Sequence, residues 1–317
     1  MEKDAKIYVA GHRGLLGSAL VKSLFYGGYR NIITRDKDQL DLTNQSAVAT
    51  FFSADHPDYV FLAAAKVGSI SANIKYPAEF IYQNSQIAIN IINCARVFGA
   101  RKLLFYGSNC MYPWECSQPM KEEYLYSGLL EPTNRPYAVA KLAGLELCLS
   151  YNAQYAANFI VPVLASLYGP NDHFGTSRAH VIADMIEKLC KARSSDLKEI
   201  VFWGDGSPLR EFMFVEDAAD ASIFLMKNSS NLIANKDQAL INIGTAEEIS
   251  MLNLSLLIAG IVGYTGKISW DVSKPNGMPR KLLDSSKFYK LGWHPKTSLE
   301  NGIRKTVHWY LDNIWSN

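Results

Sequence analysis

Short apolar runs alternate with longer stretches of helical spacing through the first half of the chain. Lys6-Ile-Tyr-Val-Ala-Gly11 predicts a buried strand ending in glycine, and Gly14 to Leu24 carries apolar residues at helical intervals. Asn31 to Arg35 predicts a second strand and Thr43 to Phe52 a helix with a threonine near its start. Tyr59 to Ala65 predicts a third strand, apolar enough for burial on both faces. A long helix follows over Ala78 to Phe98, then a strand over Lys102 to Tyr106. A second long helix over Pro136 to Tyr155, with its proline at the start, precedes a strand over Phe159 to Leu164. Strands and helices in this alternation predict an α/β protein with a Rossmann-type, doubly wound parallel sheet and right-handed crossovers.

After Tyr168 the rhythm loosens into loop-rich stretches: Gly169-Pro-Asn-Asp172, Trp203-Gly-Asp-Gly-Ser-Pro208 and Lys274-Pro-Asn-Gly-Met-Pro279. The expected division is a dinucleotide-binding Rossmann domain over 1–167 and, over 168–317, mainly a smaller C-terminal substrate-binding lobe. Such a lobe closes over the strand ends, where ligands of these sheets bind. Val201-Phe-Trp203 and Leu240-Ile-Asn-Ile243 are candidates for later strands that return to the main sheet.

Composition narrows the class. The chain has 317 residues, 48% apolar and 20% charged, with a net charge of +2. These are ordinary values for a soluble protein with an ample core, and the charge points to neither a nucleic-acid nor a membrane partner. No uncharged apolar run reaches bilayer length, and Met1-Glu-Lys-Asp-Ala-Lys6 runs into a strand without an apolar leader. Cys94, Cys110, Cys116, Cys148 and Cys190 have no metal-like pair spacing and their number is odd. No metal site is expected, a disulfide framework is disfavoured, and a reducing, cytoplasmic setting is the expectation.

The chemistry begins at the first turn. Glycines at 11, 14 and 17 form a GxxGxxG variant between a predicted strand and helix, with Arg13 and Leu15 inside it. Glycine permits the tight turn and close approach of a pyrophosphate to a helix N-terminus. A glycine turn alone is weak; its place after the first strand of a βαβ unit makes it a dinucleotide site. Near the second strand, Arg35 and Lys37 flank Asp36, and with Arg13 they favour the 2′-phosphate of NADP over the ribose of NAD. Asp41-Leu42 is a plausible adenine contact, and Ala63-Ala64-Ala65 a close approach to the cofactor. Downstream, Tyr137 and Lys141 stand four residues apart on one helix face, with Ser108 at the end of the preceding strand. An ammonium beside a phenol is expected to pull its pKa of ~10 towards neutrality, and Ser108 and Tyr137 can both donate to a carbonyl oxygen.

With these motifs the chain resembles the extended short-chain dehydrogenase/reductases and, among them, the GDP-L-fucose synthase family. The resemblance runs through Ala10-Gly-His-Arg-Gly14, Phe61-Leu-Ala-Ala-Ala-Lys-Val-Gly68, Phe80-Ile-Tyr-Gln-Asn84 and Leu130-Glu-Pro-Thr-Asn-Arg-Pro-Tyr-Ala138. It continues through Leu167-Tyr-Gly-Pro170, Arg210-Glu-Phe212 and Ser273 to Asp284, and so covers nearly the whole chain. It implies an NADPH enzyme that inverts two carbons of a GDP-4-keto-6-deoxy sugar and reduces the ketone between them. It also implies a homodimer through the long helices 78–98 and 136–155. Ser108, Tyr137 and Lys141 match the reductase triad, Cys110 the epimerisation base and His180, in Arg178-Ala-His-Val181, the acid. Alone, Cys110 would read as a structural cysteine and His180 as a structural histidine; the motif context reverses both. Arg210 and Lys281 match substrate-facing positions suited to a diphosphate, with Trp203 beside them. Lys188 falls where the family carries an arginine and otherwise reads as a surface cation.

Two departures stand out: Ala165-Ser166 replaces a family Thr-Asn, and Phe214 replaces a histidine. Both bear on the sugar, so a sister enzyme acting on a 6-deoxy-heptose or colitose precursor is the nearest rival. A 4,6-dehydratase would carry an acidic pair where Asn109 and Cys110 stand. A cofactor-sensing protein without catalysis would lack the Tyr-Lys pair.

Overall fold

The computed structural model describes residues 1–176, 179–228, 239–274 and 276–315. Arg178 and Pro275, each part of a motif above, lie outside the described residues. The first strand, β1 (Lys6–Ala10), pairs in parallel with β2 (Asn31–Ile33) on one side and β3 (Tyr59–Leu62) on the other. The sheet continues through β4 (Lys102–Phe105), with the short β5 (Gly107–Ser108) beyond it, to β6 (Phe159–Leu164). Every residue of β3 and β6 is buried, as a sheet covered on both faces requires. Helix α1 (Leu15–Tyr26) follows β1, and α2 (Gln45–Asp55) follows β2. Two helices separate β3 from β4: α3 (Ile70–Lys75) and the long α4 (Pro77–Val97). Helix α5 (Arg135–Tyr155) packs along α4 and leads into β6.

The starts and ends of these helices have local causes. Asn44, not Thr43, caps α2 by accepting from Ala47 N–H at 3.0 Å, while Thr43 bonds to Asp41. Pro77 and Pro136 sit in the first turns of α4 and α5, where no N–H is needed. Helix α3 has no counterpart among the elements the sequence predicts; one and a half turns capped by Ser69 carry too few residues to show a period.

Beyond residue 165 the chain weaves between two cores. Strands β7 (Ser166–Tyr168), β8 (Glu199–Trp203) and β9 (Leu209–Phe214) belong to smaller sheets, with α6 (Val181–Ser194) before β8. Helix α7 (Val215–Asn228) then packs on α1, and β10 (Leu240–Ile243) pairs with β6 in parallel. Of the two candidate return strands, only Leu240–Ile243 joins the main sheet. Val201–Trp203 instead pairs with β12 (Lys267–Asp271), after β11 (Glu248–Ser250) has paired with β9. Last, β13 (Arg280–Lys281) aligns beside β9, with Lys281 opposite Arg210. The main core takes in Val215, Leu225, Met278, Leu283 and Phe288, so the C-terminal half serves both cores. The second core is built on Tyr168, Phe174, Ile186, Phe212 and Phe214. No described helix is long and apolar enough to cross a membrane.

Candidate active site

The glycine turn has the geometry its spacing predicts. Gly11 adopts φ +83°, and a Cβ there would lie 2.7 Å from the Ala64 backbone. A Cβ on Gly17 would lie 2.0 Å from the Gly11 carbonyl oxygen. Both positions therefore exclude any side chain. Gly14 N–H donates to that same carbonyl at 3.0 Å and, as N-cap of α1, offers no side chain to the helix's first amides. Those donors remain available to a pyrophosphate, with no acidic residue in the first turn to compete. The segment after β3, whose Ala64 backbone lies against Gly11, is held at both ends. Ala63 N–H bonds to Ala10, and the buried Asn84 pins Lys66 through both its backbone groups, at 2.8 and 3.0 Å.

The expected convergence of three cations is only partly realised. Arg13 reaches Asp36 at 2.6 Å, and His12 contacts the same carboxylate at 3.2 Å. Arg35 does not join them: its guanidinium turns to Asp55 at 3.2 Å and stacks over the Phe51 ring. An arginine with an apolar ring and a carboxylate on the adjoining helix satisfies its stem and its charge there. Lys37 is exposed beside Asp41. The Asp41 carboxylate closes its own turn, accepting from the Thr43 amide and hydroxyl, which lower its pKa. Leu42 offers its carbonyl to Asn90 at 2.9 Å.

At the end of β5, Ser108 caps a single helical turn, Asn109–Met111, and this turn presents Cys110. Ser108 Oγ accepts from Cys110 N–H at 3.3 Å and is also within hydrogen-bonding reach of the Tyr137 phenol. Lys141 is buried; its Nζ donates to the Tyr106 carbonyl at 2.8 Å and sits 5.8 Å from the Tyr137 ring centre. Burial lowers its pKa to about 8. The tyrosine departs from the expectation above. Burial, then the nearby Cys110, push its pKa up, and the Ser108 hydrogen bond pulls the other way. The ammonium's hydrogen bond goes to the main chain rather than to the phenol, so here Lys141 does not favour phenolate.

Around Cys110 the later segments close in. Asn134 Nδ2 lies 3.3 Å and Lys281 Nζ 3.8 Å from its sulfur. Arg210 is the register partner of Lys281, and burial lowers its pKa to about 10 while the charge of Cys110 works against that. Glu211, beside it, accepts from Thr245 and Ala246 N–H at 2.7 and 2.9 Å and from Leu283 N–H at 2.9 Å. That carboxylate therefore ties the Lys281 segment to β9; its own pKa is raised by burial.

His180 stands just ahead of α6, its Nδ1 2.8 Å from Asp172 Oδ1. The Asp172 side chain is wholly inaccessible and that of His180 is 42% exposed. Burial works against the imidazolium, but the hydrogen bond and charge of Asp172 outweigh it, so the pKa of His180 is raised. Asp172 escaped the sequence reading. An acidic residue eight positions before a candidate acid, within a Gly-Pro-Asn turn, was the available signal.

Two of the expected substrate residues stand apart from this cluster. Lys188 pairs with Asp184 one helical turn earlier at 2.7 Å, as an ordinary surface cation would. Trp203 is exposed, with Lys274 Nζ 5.7 Å from its ring. Phe214, where a histidine was expected, is buried in the second core against Tyr168. Among the described residues, no group of three His, Cys, Asp or Glu side chains is placed to hold a metal ion.

Comparison with known proteins gives the lineage. Residues 7–244 match the NAD dependent epimerase/dehydratase family. GDP-L-fucose synthase 1 of Arabidopsis thaliana is 47% identical over 313 residues, covering 99% of this chain and 95% of that one. GDP-L-fucose synthase of Escherichia coli K12 is 44% identical, covering 97% of each. Among solved structures, a GDP-6-OMe-4-keto-L-xylo-heptose reductase from C. jejuni superposes with a TM-score of 0.93 at 36% identity, covering 98% and 99%. With its turn, its Ser-Tyr-Lys set and its Cys110 cluster in place, the chain belongs to the NAD dependent epimerase/dehydratase family and, within it, to the GDP-L-fucose synthases.

Proposed function

We propose that this protein is a bifunctional epimerase/reductase that inverts C3 and C5 of a GDP-4-keto-6-deoxy sugar and then reduces C4 with NADPH. The observation that carries the reading is the placement of Cys110, with Lys281 Nζ 3.8 Å from its sulfur, two residues from Ser108 and near the Tyr137 phenol. The glycine turn and the uncapped start of α1 fit a dinucleotide pyrophosphate; Gly11, Arg13, Gly14, Leu15 and Gly17 would hold it, with Ala63, Ala64 and Ala65 beneath. NADPH, when bound, supplies the hydride that reaches C4.

The chain's own groups do the rest. The C3 and C5 hydrogens are acidic because both carbons neighbour the C4 carbonyl, and Ser108 and Tyr137 donate to the oxygen on which charge develops. Cys110 removes each proton as the thiolate, and His180, held by Asp172, returns one to the other ring face. A raised pKa keeps His180 in its acid form closer to neutral pH, as reprotonation needs. On reduction Tyr137 gives its proton to the C4 oxygen. Its raised pKa suits a donor; Lys141, whose hydrogen bond goes to the Tyr106 carbonyl while the phenol is neutral, is a cation 5.8 Å from the ring on which charge is left. Arg210 and Lys281 are the cations available to the nucleotide diphosphate or to charge at the thiolate.

Cys110→Ser tests the assignment. Proton exchange at C3 and C5 is expected to fall by a factor on the order of 100 or more, while slow reduction of the unepimerised ketone persists. Deuterium uptake from heavy water is followed beside NADPH oxidation; undiminished uptake would show that Cys110 is not the base.

A second reading concerns the sugar. Ala165 is buried and Ser166 half-buried at the start of β7, so two short side chains stand where the family carries a longer pair. The heptose reductase likeness supports the same direction. A GDP-4-keto-6-deoxy-heptose is expected to be handled as well as the hexose or better; kcat/KM for both substrates measures it. A strong hexose preference that survives Ser166→Asn would remove these positions from sugar choice. The exposed apolar residues Tyr82, Ile89 and Val97 on α4 and Val139 and Tyr155 on α5 support a homodimer through those helices. Five free cysteines support a reducing, cytoplasmic setting.

A further inference from the structure

Asn134 occupies the N-cap position of α5, the helix that carries Tyr137 and Lys141, yet its side chain makes no capping hydrogen bond. Asparagine is among the residues that cap best, so a free side chain at this position has another use. Its Nδ2 points instead at Cys110 Sγ, 3.3 Å away, and its Oδ1 is buried with no hydrogen-bond partner among the described residues. The turn before the helix holds it there. The buried Glu131 accepts from the Asn134 amide at 3.0 Å and from the Thr133 amide and hydroxyl at 3.1 and 2.6 Å. Glu131 thus supplies the anchoring that the Asn134 side chain forgoes.

We propose that Asn134 is a positioning residue for the epimerisation half of the reaction: its amide donates to Cys110 and, with Lys281, holds the sulfur as thiolate. Neutral thiols are weak acceptors and thiolates strong ones, so a donor aimed at sulfur favours the charged form. The opposite amide orientation would set a carbonyl oxygen on the sulfur and favour the thiol. Lys281 Nζ, 3.8 Å from the same sulfur, argues for the donor-facing arrangement. The groups that face Cys110 from the other elements are Arg210 on β9 and the Tyr137 phenol on α5. Both cations reinforce a negative sulfur, and Asn134 adds the directional contact that point charges do not give. The arrangement also makes α5 common to both chemistries: its N-cap orients the base, and its first two turns carry the proton donor and the buried lysine.

The inference rests on Cys110 being the base, and the test separates the two. Asn134→Asp keeps a residue that caps equally well, so a merely structural role predicts an unchanged enzyme. A thiolate-holding role predicts the reverse, because a carboxylate beside the sulfur opposes its charge. Iodoacetamide labelling of Cys110, read by peptide mapping across pH 6–10, counts the thiolate whether or not it is the base. In Asn134→Asp the labelling profile is expected to move to higher pH, with labelling at pH 7 and C3/C5 deuterium uptake each falling ~10–100-fold. Asn134→Ala, which removes the donor without adding charge, should show a smaller shift in the same direction and serves if the aspartate variant does not fold. Labelling profiles that coincide with the wild type in a folded variant overturn the proposal. Loss of labelling with deuterium uptake intact leaves Asn134 as the thiolate's partner and removes Cys110 as the base.

Discussion

Replacing Asp172 with asparagine removes one charge and almost no volume. The carboxylate is fully inaccessible, and its Oδ1 accepts from His180 Nδ1 and from the His173 amide at 2.8 and 2.7 Å. An asparagine oxygen can keep both contacts, so the ring stays in place and only the electrostatic support of the imidazolium goes. A hydrogen bond to a charged partner is worth ~1.5–3 kcal/mol, or ~10–100-fold in a rate that depends on it. Since 42% of the His180 side chain is exposed, solvent screens the pair and the expectation is the lower end, ~10-fold. The direction with pH follows from the sign of the shift. His180 is the proposed acid and its pKa is raised in the folded protein, so the variant loses the protonated form at lower pH than the wild type. The deficit in C3/C5 deuterium uptake should widen from pH 6 to pH 8 and close in acid, with partly exchanged or singly inverted sugar accumulating. Stability carries the same sign. The pair's contribution is fully present below the ordinary imidazole pKa of ~6.5 and lost as pH rises through the raised value. Urea unfolding should therefore show Asp172→Asn more destabilised at pH 6 than at pH 8. Uptake that matches the wild type at every pH would refute both the pairing and the assignment of His180 as the acid.

Gly17→Ala should behave opposite to an ordinary helix substitution. The usual gain of up to ~1 kcal/mol is overridden by a Cβ 2.0 Å from the Gly11 carbonyl, with a net loss of about 1–3 kcal/mol in urea unfolding and weakened NADPH binding by fluorescence titration. Lys141→Met should change how stability responds to alkali. The folded pKa of Lys141 is about 8, below its ordinary value, so the unfolded chain holds a proton the folded one lacks between pH ~8 and ~10. Wild-type stability should gain on the order of 2 kcal/mol from this group across that window, and the variant should lack that gain, along with C4 reduction. Equal slopes in the two proteins would place the Lys141 pKa near its ordinary value.

The parts of the fold legible in the sequence are those with a local cause. Runs such as Tyr59–Leu62 and Phe159–Leu164 are apolar throughout because both faces of a parallel strand are covered, and the glycine spacing reports a steric requirement at Gly11 and Gly17. Tyr137 and Lys141 could be paired because they share one helix. The illegible parts depend on partners distant in sequence. Nothing local says that Leu240–Ile243 returns beside β6 whereas Val201–Trp203 pairs with β12; both are short and apolar. Arg35 and Arg13 look interchangeable until α2 brings Asp55 and Phe51 to one of them. Lys281 and Arg210 lie far apart in sequence; the β9–β13 register makes them neighbours, and Lys281 reaches the Cys110 sulfur.

Two reactions can share this site because both act through the same C4 oxygen. The proposed inversions need the C4 oxygen as a sink for charge, and Ser108 and Tyr137 are the donors placed to stabilise it. Reduction needs the same two donors on the same oxygen. Once C4 is reduced, its neighbours' hydrogens are no longer acidic and Cys110 has nothing to remove. The chemistry therefore forbids inversion after reduction, without a conformational switch to separate the steps. What the protein must supply is a base competent before hydride arrives. The buried surroundings that raise the Tyr137 pKa keep the phenol protonated until it is needed, while Lys281 and Arg210 stand ready beside the sulfur. A proton donor that stays neutral and a base surrounded by cations are opposite electrostatic demands, and the proposed roles put them on adjoining segments: Tyr137 in the first turn of α5, and Cys110 on the turn after β5 that faces β9 and β13.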